Sequence, residues 1–213
     1  VRESHDIAID AMLADLFIHA SNCARAFGAF HLAVSATPHI EPALMRLMYD
    51  PGFRDFPWSR TRLWMIDELD VAPDDPERRG TRLAETIMAC SGIPESQCHY
   101  LQPGEAEAYA SEIRSHLEWR ERGHDRLDCC LFGAAEDGTL EAFVPAGAQP
   151  VRTVIDEEFV RSARLVSVLA PAAEESVRML ASWTRANLAR FGPVGGELIW
   201  YLGGSDSADI PLA

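Results

Sequence analysis

Two adjacent carboxylates, Asp67 and Glu68, follow the short apolar run at 62–66. Neighbouring acids at a strand end are one arrangement that general acid and base chemistry uses, because their environments push the two proton affinities apart. Plain solvation is the other reading of such a pair. Arg78 and Arg79 come shortly after. Successive guanidinium groups there either grip an anion bidentately or stand solvated in a helix's first turn. His39 lies in a loop expected to follow a strand, as a candidate base or a solvated side chain. A further apolar run at 127–132 leads to Asp137, Gly138 and Thr139, an Asp-Gly turn signal. The Thr139 hydroxyl does not titrate near neutrality, so it is no proton acceptor in its own right.

Inventory narrows the chemistry. All 19 basic residues are Arg and none is Lys, which excludes Schiff-base chemistry and a Walker-type lysine. Any phosphate must be held by Arg, backbone N–H groups or hydroxyls. The 33 acidic residues set a net charge of −14, and no basic stripe offers itself to a nucleic acid. The five cysteines (Cys23, Cys90, Cys98, Cys129, Cys130) lack zinc-type spacing and read as free, mostly buried thiols of a reducing compartment. No metal and no cofactor are expected. No apolar run reaches the roughly 20 residues that cross a bilayer, so no membrane partner and a cytoplasmic location are expected.

The elements that must position these residues alternate. Apolar spacing predicts a helix over about 5–26 stopped by Gly28, then a strand at 29–34 and a helix opening near Pro42. Strand 62–66, helices near 78–90 and 105–121, and strand 127–132 follow. Strands near 152–155, 165–170 and 197–202 and a helix at about 173–188 complete the series. With 213 residues, 47% of them hydrophobic, the chain is read as a single α/β domain over 1–213 with a central, mostly parallel sheet and helices on both faces. Ligands of such sheets sit outside the carboxyl ends of the strands, where segments 35–42, 67–79 and 133–145 should meet. His31 falls on a buried strand and reads as a core histidine; Asp128, in the strand before the Asp-Gly turn, receives no role.

Three motifs in order resemble the 6-phosphogluconolactonase family, in the superfamily that also holds the glucosamine-6-phosphate deaminases. The family's Ser-Gly-Gly-(Ser/Thr)-Thr-Pro falls on Ser35-Ala36-Thr37-Pro38, with Ser35 kept and both glycines lost. Its Asp-Glu-Arg-x-Val-Pro falls on Asp67-Glu68-Leu69-Asp70-Val71-Ala72, with Leu69 in place of Arg, and Arg78-Arg79 stand where Ser-Asn would open a helix. Its Asp-Gly-His-Thr falls on Asp137-Gly138-Thr139, so Thr139 occupies the histidine position. Arg152-Thr153-Val154 and Ala163-Arg164-Leu165-Val166 resemble two later strands, and the lysine that follows in the family is replaced near Glu174.

The resemblance implies a 6-phosphogluconolactonase-like fold with a degenerate active site. Ser35, Asp67, Arg78, Arg79, Gly138 and Arg152 become candidates for substrate or phosphate binding, and Asp137, Glu68, His39 and Thr139 for the catalytic positions. The histidine is implied to take a proton from the water that attacks a lactone carbonyl. Its loss suggests an impaired paralogue that binds a small ligand, such as a sugar phosphate or lactone, or a protein partner. The alternative is an active 6-phosphogluconolactonase of the pentose phosphate pathway, a lactone hydrolase with rearranged acid/base and phosphate groups. If phosphate recognition has gone, Leu69 and Pro38 should fill the space with apolar atoms.

Overall fold

Ser4 starts the first helix: its hydroxyl accepts from the Ile7 amide at 3.3 Å, and Gly28, at φ 77°, ends α1 (His5–Phe27) in the left-handed region. This is a computed structural model, and the residues it describes are 4–135, 138–143, 150–170 and 192–203. The expected helix at 173–188 and the Glu174 position lie outside them.

The chain continues through β1 (Phe30–Val34), α2 (Glu41–Tyr49), β2 (Thr61–Met65) and β3 (Asp67–Leu69). Next, α3 (Arg79–Leu83) runs through a π turn (Ala84–Met88) into α4 (Ala89–Ser91), followed by β4 (Cys98–His99) and α5 (Ala106–Leu117). The described part ends with β5 (Cys129–Gly133), β6 (Arg152–Val154), α6 (Glu157–Ser162), β7 (Leu165–Ala170) and β8 (Glu197–Leu202). Six strands form one sheet in the order β4-β2-β1-β5-β7-β8, every pair parallel. The α/β architecture is the expected one. Strands β1, β5 and β7 are buried along their whole length, as central strands of a parallel sheet must be, so their sequences run apolar without alternation.

Some expectations need correction. The strand near 152–155 does not join the parallel sheet: β6 pairs antiparallel with β3, Glu68 opposite Thr153 and Leu69 opposite Arg152. Sequence patterning missed β3, β4 and α6, which are too short to show a period. Helix α1 is also long and apolar enough, at mean hydropathy 1.3 over 18 residues, to cross a membrane by length and composition alone. Asp6, Asp10 and Asp15 interrupt it, which is why no continuous run stands out. Here its apolar face, with Ile9, Met12, Leu13 and Leu16, is buried, and the helix packs on β1, β7 and β8. Among the thiols, Cys23, Cys129 and Cys130 are buried and Cys90 is exposed, all of them free; burial pushes Cys23 up to about 12.

Asp128, unassigned from sequence, organises the amino edge of the sheet. It is fully buried, grips Arg120 through both carboxylate oxygens at 2.8 and 2.9 Å, accepts from Arg164 Nε at 3.1 Å and from the His31 amide at 2.8 Å. One carboxylate thereby joins the ends of β1, β5, β7 and the segment after α5.

His31 is a core histidine. Trp64 Nε1 donates to its Nδ1 at 3.2 Å and the rings stack. Burial, aided by the Arg120 and Arg62 charges, lowers its pKa to about 2, whereas an unfolded histidine titrates near 6.5. The unfolded chain therefore binds a proton that the fold refuses. Stability should fall as pH drops below about 6.5, by up to roughly 1.4 kcal/mol per unit from this group. Urea denaturation from pH 7.5 to 5, with His31→Gln as the comparison, measures it: the variant should show the shallower pH slope.

Candidate functional site

The carboxyl edge brings distant side chains together because β1 and β2 are neighbours and Ile66 carries the ladder onward: its amide donates to Val34 O at 3.0 Å and its carbonyl accepts from Ile155 at 2.9 Å. Asp67 and Glu68 thus emerge beside Ser35 and opposite β6. Successive strand residues leave opposite faces, and the two carboxylates take separate partners.

Asp67 is fully buried. It accepts from Ser35 Oγ at 2.6 Å and from Arg152 Nη1 at 3.3 Å, and Arg79 Nε lies 3.6 Å away. Glu68 accepts from the amides of Leu69 and Arg79 at 2.8 Å each and of Gly80 at 3.0 Å, with Arg78 Nε at 3.5 Å. It ties the loop 70–78 to the start of α3. Arg78 and Arg79 are therefore not solvated first-turn residues: their side chains are 17% and 5% exposed. Three guanidinium groups face two carboxylates in this cluster, leaving an excess of positive charge suited to an anion.

The loop after β1 is less suited to one. The Thr37 amide donates to Ser35 O at 2.8 Å and the Ile40 amide to Thr37 O at 3.2 Å, so these donors are engaged within the loop. The loop sits directly on β5. A Cβ placed on Gly133 would lie 2.8 Å from His39 Cβ, Ile40 N and Thr37 Oγ1, so only glycine permits this approach. His39 is thereby set beside the end of β5. Beyond it the chain doubles back: Ala135 N donates to Thr139 O at 2.9 Å, Gly138 N to Ala135 O at 2.8 Å, and Ala134 bridges to Leu140. Gly138 has φ 78°, which the turn requires. Gly138 and Thr139 are so fixed at the carboxyl end of β5, with Thr139 half-buried; Asp137 lies outside the described residues.

The family model for glucosamine-6-phosphate isomerases/6-phosphogluconolactonase matches residues 3–174. The chain belongs to this family. The 6-phosphogluconolactonase of Thermotoga maritima superposes with a TM-score of 0.74 at 17% identity, over 92% of this chain and 94% of that one. That of Trypanosoma brucei gives 0.69 at 17% identity, over 95% and 94%. At such identities the likeness is one of fold. Among curated relatives, the rabbit (Oryctolagus cuniculus) GDH/6PGL endoplasmic bifunctional protein is 24% identical over 92% of the chain, and the human one 26% identical over 64%. The chain spans only 28% and 18% of their lengths. Both are named endoplasmic, so they lend nothing to the cytoplasmic expectation.

Within the 6-phosphogluconolactonase fold, Ser35, Asp67, Glu68, Arg78, Arg79 and Arg152 form one bonded cluster, while His39, Gly138 and Thr139 belong to the neighbouring strand end. Pro38 is exposed and fills no pocket; Leu69 is buried, 2% exposed. Sequence reasoning missed the residues that open the site outwards. Thr81, Tyr100 and Gln102 line a cleft of about 270 Å³ together with Glu68 and Arg78. The signal for them was weak, because Tyr100 and Gln102 follow a strand of only two residues.

Proposed function

We propose that this chain binds a small anionic sugar derivative, a sugar phosphate or the lactone of one, at the carboxyl edge, and that it hydrolyses lactones poorly. The observation that carries the reading is the cluster of Arg78, Arg79 and Arg152 around Asp67 and Glu68, beside a turn that presents Thr139 where the family pattern has histidine. Arginines supply bidentate donors for a phosphate even without the glycine loop. No hydroxyl supplies the base. Carbohydrate metabolism, with the pentose phosphate pathway as its first candidate, is the context the relatives support.

The second reading is an active 6-phosphogluconolactonase with a rearranged acid/base group. The observation favouring it is His39, which rests against Gly133 at the same strand end. In that reading Asp137 with His39 or Glu68 handles the protons and the three arginines hold the anion.

Binding is tested by thermal shift with 6-phosphogluconate, glucosamine 6-phosphate, gluconate and inorganic phosphate. A ligand at a hundred times its Kd stabilises by about 2.7 kcal/mol, so the phosphorylated sugars should raise Tm by several degrees and gluconate by less. Removing a charge-assisted donor costs about 1.5 to 3 kcal/mol; Arg152→Gln or Arg78→Gln should therefore weaken binding about tenfold or more. No shift with any phosphorylated sugar, or a shift indifferent to both substitutions, would sink the proposal.

A further inference from the structure

Three potential metal ligands meet at the outer edge of the sheet, away from the Asp67 cluster. His99 lies on β4, the edge strand, and Glu112 and His116 are one turn apart on α5. Residues four apart on a helix share a face, and here that face lies over His99. One donor atom from each of the three residues lies within 4.8 Å of the others. The His99 ring is held in place: Trp64 stacks on it with centroids 3.8 Å apart and planes 10° apart, and Glu112 Oε1 lies 2.6 Å from Nδ1. The His116 ring stands edge-on to it at 4.7 Å.

The second observation is an orphan. His99 is 9% exposed, and its Nε2 is buried with no hydrogen-bond partner among the described residues. A buried nitrogen of that kind is costly unless something meets it. In a neutral imidazole protonated at Nδ1, Nε2 carries a bare lone pair, which a metal ion satisfies; to ligate that same ion Glu112 must leave its present contact at Nδ1 and swing round to the Nε2 side.

We propose that His99, Glu112 and His116 form a binding site for a divalent transition metal ion of the zinc type, outside the sugar-anion site. Two imidazoles and one carboxylate are a donor set that zinc accepts at about 2.0 to 2.2 Å, with water completing the shell. The donors must draw together from their present spacing. Glu112 is 44% exposed in its side chain and His116 is half-buried, so both have freedom to move onto the fixed His99. Burial and the Arg62 charge lower the proton affinities of His99 and His116, against the opposing pull of Glu112. The Arg62 charge opposes a cation at this cluster, and Glu112 offsets it.

Binding would pin the edge strand to α5. The His99 carbonyl already accepts from Tyr109 Oη at 2.9 Å, and that hydroxyl accepts from the Met65 amide at 2.7 Å. The site is thus linked to the end of β2.

Zinc titration of chelator-treated, tag-free protein by calorimetry tests this, in a Cys90→Ser background so that the exposed thiol does not contribute. One equivalent should bind. Glu112→Gln and His116→Gln, at an exposed and a half-buried position, should each weaken it about tenfold or more, and Arg62→Gln should tighten it. Copper(II) should quench Trp64 fluorescence, so the quenching amplitude should fall in Trp64→Phe. Circular dichroism checks that each variant folds. No saturable zinc binding, or affinity unchanged in both ligand variants, overturns the site. Neither result bears on thermal shifts with sugar phosphates.

Discussion

Thr139→His should raise the rate of 6-phosphogluconolactone hydrolysis by about a hundredfold, since a positioned general base contributes roughly 10² to 10⁴. The turn that carries residue 139 is already built, with the Ala135–Thr139 and Gly138–Ala135 bonds at 2.9 and 2.8 Å, and the position is half-buried rather than in the core. The new rate should rise with pH through about 6.5, as an imidazole loses its proton. A pH-stat assay with the spontaneous reaction subtracted reads it. Restoring Leu69→Arg as well is the natural double change on the family pattern, but Leu69 is buried on β3 opposite Arg152. A second guanidinium there meets like charge and desolvation, so the single substitution is the cleaner trial. Unchanged hydrolysis in a variant that still binds 6-phosphogluconate would mean the strand end no longer aims residue 139 at the ligand. A high rate in the unsubstituted chain, abolished by His39→Ala, would favour the active-enzyme reading instead.

The largest loss of stability should come from a residue with no part in that chemistry. Asp128→Ala removes the partner of two arginines, and Arg120 is 1% exposed in its side chain. Breaking a buried ion pair from one side costs about 3 to 5 kcal/mol, because the remaining charge stays buried without compensation. For a chain of this length that corresponds to a fall in Tm of about 10 °C. Urea denaturation against the surface control Asp125→Ala measures it. A loss under about 1 kcal/mol would show that Arg120 and Arg164 find other partners and that Asp128 is no hub. The proposed anion site at the opposite edge should keep its affinity in whatever fraction remains folded.

Much of the architecture was legible because it is written locally. Helix α1 announces itself by apolar spacing and Gly28, β2 and β8 by short apolar runs, and β1, β5 and β7 by runs that stay apolar without alternation, since burial on both faces of a parallel sheet demands unbroken hydrophobicity. The family motifs at 35–38, 67–68 and 137–139 were equally readable, as was the absence of lysine. Strands β3, β4 and β6 were not, or not in their pairing, because two or three residues carry no period and an antiparallel partner 85 positions away leaves no local trace. Nor could the sequence say that Arg78 and Arg79 turn inwards. A guanidinium after a loop reads as solvated until the fold sets buried carboxylates beside it.

Asp128 shows the same division: its type is visible in the chain, but its task depends on Arg120, Arg164 and His31 arriving from three other segments. His99 is another case, a lone histidine in sequence that acquires Glu112, His116 and Trp64 only when α5 packs on the sheet edge. Residue types and short-range periodicity determined which elements form and what chemistry the inventory allows. Tertiary structure decided which charges are paired and which donors converge, because those depend on distances between segments that only the folded chain defines.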